Sequence, residues 1–123
     1  MRFLTRGFLL LFVVTMLGLA ASTAEAQNRY AAIAYSKSTG AYGYGNGYPT
    51  KEAALARARQ ECGRSDAKAF WARNSWIALA VSKTGGFGWP QAPTAAAARA
   101  GAIRQCRLHN PDARVVVCVS AFR

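Results

Sequence analysis

The sequence predicts an α+β fold of tandem strand–strand–helix–strand units, with about six mostly antiparallel strands and two helices related by a pseudo-twofold. Three observations carry this. An aromatic–glycine stretch, Tyr42-Gly43-Tyr44-Gly45-Asn46-Gly47-Tyr48, runs through Pro49-Thr50 into the helix-like segment Lys51 to Cys62. A shorter version, Gly86-Phe87-Gly88-Trp89, runs through Pro93-Thr94 into an alanine-rich segment ending at Cys106. The two prolines lie 44 positions apart (93 − 49), as do the two cysteines (106 − 62). Upstream, Ala32-Ile33-Ala34-Tyr35-Ser36-Lys37 is echoed by Ala78-Leu79-Ala80-Val81-Ser82-Lys83 at a spacing of 46 (78 − 32). The repeats therefore span about 30–75 and 76–122.

The first 26 residues read as a signal peptide. Arg2 and Arg6 form a basic start, Phe8 to Leu19 is an apolar run too short to span a bilayer comfortably, and Ala24-Glu25-Ala26 suits a signal peptidase. Cleavage after Ala26 would leave 97 residues (123 − 26), a single exported domain over 27–123 that is periplasmic or secreted.

Tyr30 to Tyr35 is small and apolar and reads as a strand, and Ser36-Lys37-Ser38-Thr39-Gly40 is turn chemistry. Ala41 to Tyr48 returns as a hairpin arm. At a period of two, Tyr42, Tyr44 and Tyr48 share one face while Gly43, Gly45 and Gly47 share the other. A helix lying against the glycine face is the structural explanation. An aromatic platform for sugars or bases, formed by Tyr42, Tyr44, Phe87 and Trp89, is the functional one.

Thr50 is placed to cap the first helix and Gly63 to end it, with Leu55, Ala58 and Cys62 as its apolar stripe and Ala54 beside it. Thr94 starts the second, whose buried side should be Ala95, Ala98, Ala102, Ile103 and Cys106. Gly101 is a defect of about 1 kcal/mol against alanine. Arg99 stands where Leu55 stands, so either it snorkels or the two helices pack differently. Lys68 to Arg73 and Arg114 to Ser120 read as the strands after each helix, and Trp76 to Val81 opens the second copy. One long sheet and two smaller ones fit the pattern equally, with both helices expected on one side.

Sixteen Lys and Arg against five Asp and Glu give a formal charge of +11. Without Arg2, Arg6 and Glu25 it is +10, fourteen bases facing four acids. Such an excess attracts anions. Candidate contacts are Lys51, Arg57, Arg59 and Arg64 around the first helix, and Arg99, Arg104 and Arg107 around the second. Catalysis is poorly supplied: His109 is the single histidine, and Glu52, Glu61, Asp66 and Asp112 form no paired motif. No catalytic residue, metal site or cofactor is expected. The Gly43-to-Gly47 run lacks the Gly-Lys-Ser/Thr ending of a phosphate loop.

The expected function is a non-catalytic binding module for anionic envelope components. The alternative is an inhibitor or immunity-like partner of an acidic protein, and an unrecognised hydrolase comes third. Nucleic acid is an allowed partner, although no motif supports it. Three cysteines in an exported chain predict one disulfide and one thiol.

The pattern Ala32 to Ser36, Gly40 to Tyr44, Tyr48 to Ala53 and Cys62 is echoed by Ala78 to Ser82, Gly85 to Trp89, Thr94 to Ala98 and Cys106, and closed by Val115 to Ser120. It resembles the bacterial family "domain of unknown function 4189" over nearly all of the mature chain. The resemblance implies a small exported domain and no established activity. Similar chains carry a further cysteine near the end of the third strand of each half. Cys118 fills that place in the second half, and Asn74-Ser75-Trp76 stands there in the first. The expected bridge is therefore Cys106–Cys118, with Cys62 free. Its competitor is Cys62–Cys106, across the pseudo-twofold.

Overall fold

The computed structural model describes residues 27–83, 87–108 and 110–122. The expected signal peptide and His109 lie outside the described residues.

The first half contains β1 (Tyr30–Tyr35), β2 (Tyr42–Tyr48), helix α1 (Lys51–Cys62) and β3 (Lys68–Arg73). The second contains β4 (Trp76–Val81), β5 (Phe87–Gly88), β6 (Gln91–Ala92), helix α2 (Ala95–Arg107) and β7 (Arg114–Ser120). Two antiparallel sheets result, with β1 central in the order β2-β1-β3 and β4 central in the other. Strand β7 pairs along the whole of one edge of β4, so β5 and β6 share the opposite edge, one at each end. The described strands number seven, against about six expected, because the second hairpin arm is split into β5 and β6. Pro90 sits between β5 and β6 and has no N–H to donate, so the second hairpin arm cannot pair continuously.

The central strands are buried almost throughout, and their successive side chains alternate between two layers. Ala31, Ile33 and Tyr35 of β1 meet Ile77, Leu79 and Val81 of β4, with Ala72 and Val119 beside them, in a core between the sheets. The intervening residues face the helices. Ala32 and Ala34 pack on Ala54, Ala58 and Cys62 of α1, while Ala78 and Ala80 pack on Ala98, Ala102 and Cys106 of α2. The order of layers is helix, sheet, sheet, helix. This corrects the expectation of both helices on one side: each central strand is apolar on both faces, so each sheet needs a cover on both.

Small side chains set the helix–sheet distance. A Cβ on Gly43 would stand 2.4 Å from the Cys62 nitrogen and from Glu61 Cβ. One on Gly45 would stand 2.8 Å from Arg57 Cβ, and one on Gly88 2.7 Å from Gln105 Cβ. The glycine face therefore lies against the helix, as its spacing predicts. Tyr48 departs from that pattern. The β1–β2 register shifts between Tyr30 and Ala32, and Gly47 takes φ 76°, so the bulge turns Tyr48 to the helix side with Tyr30.

The helix ends follow their sequence signals. The Thr50 hydroxyl accepts from the Ala53 N–H at 3.1 Å, and the Gly63 N–H (φ 66°) donates to Arg59 O at 2.9 Å. The Thr94 hydroxyl accepts from the Ala97 N–H at 3.1 Å. In α2, Gly101 is buried against Pro90, where a Cβ would come within 2.9 Å of the ring. It is a packing choice rather than a defect. Arg99 is exposed and lines a groove with Val115, Val116 and Val117 of β7.

Candidate anion-binding surface

The expected cations occupy two faces. On the α1 side, Lys51 Nζ sits 4.8 Å from the centroid of the Trp71 ring. Arg57 pairs with Glu61 at 2.5 Å, and Glu52 adds a second acid in the first turn. Arg59 and Arg64 are exposed. On the α2 side, Arg99, Arg104 and Arg107 are exposed, and the helix contains no acid. Ala100, Ile103, Arg104, Arg107 and Leu108 line an open groove of about 540 Å³ there, with Leu108 74% exposed.

The two helices cover opposite outer faces, so the seven cations do not converge. The sheets alone put about 10 Å between the two sets. That exceeds the Debye length of about 8 Å at physiological salt, so the sets act as separate patches.

The aromatic face is divided as well. Tyr42 and Tyr44 are exposed on β2, at one edge of the first sheet. Phe87 and Trp89 stack on each other at 4.8 Å, Trp89 stacks on Phe70 of β3 at 4.5 Å, and Phe87 meets Tyr35 edge-on at 5.1 Å. These two rings close the seam between the sheets at the β3 edge, and much of their ring surface is used internally.

The cysteines correct the disulfide expectation, since all three are free. Cys118 Sγ lies 3.9 Å from Ala95 O, at the start of α2. Cys106 is eleven residues further along the helix, about 16 Å at 1.5 Å per residue. A bridge needs Cα atoms within about 7 Å. Sharing one hydrophobic cluster was not enough: the strand runs beneath the helix and leaves the two thiols at opposite ends. Cys62 belongs to α1 and Cys106 to α2, each packed on the outer face of a different sheet, which rules out the competing pair. Burial, with Asp112 adding to it, pushes the Cys106 thiol up, so it is a poor nucleophile.

Two carboxylates have a role that the sequence reading missed. The hydroxyls of Ser38 and Ser36 donate to the two oxygens of Asp66 at 2.6 and 2.8 Å. Asp112 accepts from the Lys83 backbone N–H at 2.9 Å and from the Ser82 hydroxyl. These bonds hold both carboxyls below the usual aspartate range. The signal was present in the spacing, because Ser36 to Ser82 and Asp66 to Asp112 are each 46 apart. Each pair ties the turn after a central strand to the turn before the sheet's last strand. A carboxyl held this low is ill suited to proton transfer near neutral pH.

Residues 30–119 match the sequence profile of a family described as Domain of unknown function (DUF4189). The chain belongs to this family. The match runs from the first residue of β1 to Val119 in β7, so the DUF4189 domain takes in both halves and both helices. No curated protein and no solved structure matches the chain. Among the described residues of this DUF4189 domain, no helix is long and apolar enough to cross a membrane.

Proposed function

We propose that the protein is a non-catalytic exported module that binds anionic components of the cell envelope through its basic surface. The observation that carries this reading is the acid-free outer face of α2, with Arg99, Arg104 and Arg107 all exposed. None of the four acids beyond residue 26 lies on α2: Glu52 and Glu61 are on α1, and Asp66 and Asp112 are in the turns before β3 and β7. Export is part of the proposal and rests on the signal-peptide pattern, with the mature chain beginning at Gln27.

Retention on immobilised heparin, a soluble-chain polyanion, tests the reading across a salt series. Electrostatic binding should weaken steeply as salt rises, following the counterion-release behaviour of polyanions. Retention indifferent to salt would reject it. So would one stoichiometric protein partner that heparin does not displace, a result favouring the inhibitor alternative. Intact mass of the exported protein should correspond to a chain starting at Gln27.

A further inference from the structure

The geometry points to α2 as a bilayer-docking element that lies on anionic phospholipid headgroups, with the sheets above it and α1 turned away. This rests on the anionic-envelope reading and names both the partner and the face.

The outer face of α2 has an uneven composition. Ala96, Ala97 and Ala100 are exposed along its first half, where short side chains let the helix approach a flat surface. Arg104 and Arg107 follow, one turn apart, and frame the groove floored by Ile103. A guanidinium matches a phosphate with paired hydrogen bonds, and here two are presented side by side. Leu108 comes next and is the most exposed large apolar side chain among the described residues. In water that exposure stabilises nothing; at a headgroup layer it becomes a buried contact, flanked by the charges that hold it there.

The same face argues against other anions. Single-stranded nucleic acid is gripped by rings that stack on bases. This face has none, since Phe87 and Trp89 belong to the seam between the sheets. The α1 face serves as the internal contrast. It carries Glu52 and Glu61, and its Arg57 and Lys51 already have partners. Acids there would repel headgroups, whereas α2 has none.

Co-sedimentation with vesicles of phosphatidylcholine, with and without phosphatidylglycerol, tests the proposal. The protein should bind only the anionic vesicles. Arg104→Glu with Arg107→Glu should reduce that binding at least about tenfold, since each basic residue near an anionic surface contributes appreciably. Arg57→Glu with Arg59→Glu should leave most of it. Should the double reversal disturb α2 by circular dichroism, Arg104→Gln with Arg107→Gln gives a milder loss in the same direction. Leu108→Ser should weaken vesicle binding and leave heparin retention unchanged. Equal losses from both helices, or a Leu108→Ser effect of equal size on heparin, would overturn the proposal. Heparin retention without vesicle binding would overturn it too, while leaving the broader reading in place. Binding to neither would remove both.

Discussion

The two halves share an order of elements and differ in what they turn to solvent. Both place a small apolar strand at the centre of a three-layer stack, cap the following helix with threonine, and tie a serine after the central strand to an aspartate 30 positions on (66 − 36 and 112 − 82). All of these face the core or close its ends. The differences lie outside or at the margins. The first hairpin is continuous, and two glycines of β2 lie against α1; the second is broken at Pro90 and sets one glycine, Gly88, against α2. The outer face of α1 mixes acids with bases, while that of α2 carries bases alone. Packing constrains the buried faces of both halves alike, and solvent leaves their outer faces free to differ.

The largest expected effect comes from the close approach of β2 to α1. Gly43→Ala drives a Cβ into backbone at Cys62 and Ala58, which cannot yield as a side-chain tip does. The loss should be about 3 kcal/mol, at the upper end for overpacking, and Gly88→Ala should cost about 2 kcal/mol. Urea midpoints of the two variants decide this. If Gly43→Ala is tolerated as well as Gly88→Ala, the tighter contact in the first half is not real.

A smaller effect should follow acidification. The folded-state values of Asp66 and Asp112 are depressed, so their contribution is complete above the unfolded aspartate value of about 3.9. It is lost as pH falls through the lower folded values. Wild-type urea midpoints should therefore drop in that window. Asp66→Asn and Asp112→Asn should each flatten the drop, and Ser36→Ala should resemble Asp66→Asn. An unchanged pH profile in both aspartate variants would mean that the two ties contribute nothing; flattening by only one would break their equivalence.

The smallest effect belongs to Gly101. Helix propensity alone predicts that Gly101→Ala gains about 1 kcal/mol. Contact with Pro90 offsets that gain, so the melting temperature should stay close to wild type. A rise of the full propensity size would show that the proline contact costs nothing.

Much of the fold was legible because the decisive interactions are local. Thr50 and Thr94 bond three residues onward, Gly63 closes the turn it ends, and the Gly43–Gly45 alternation marks a face whatever lies opposite. The break at Pro90 was legible in principle, since a missing N–H is a property of the residue. The one-residue bulge at Gly47, which turned Tyr48 over, was not, because register depends on the partner strand.

By itself the sequence determined the α+β class, the helix boundaries, the positive balance and the family. Tertiary structure alone decided which faces meet. It put the helices on opposite sides, and so divided Lys51, Arg57, Arg59 and Arg64 from Arg99, Arg104 and Arg107. It set Tyr42 and Tyr44 at a different edge from Phe87 and Trp89, and it placed Cys118 beneath the wrong end of α2 to reach Cys106. The reason is common to all three. Residue type and spacing set which side of its own strand or helix a side chain occupies, but the pairing of distant strands sets what that side encounters.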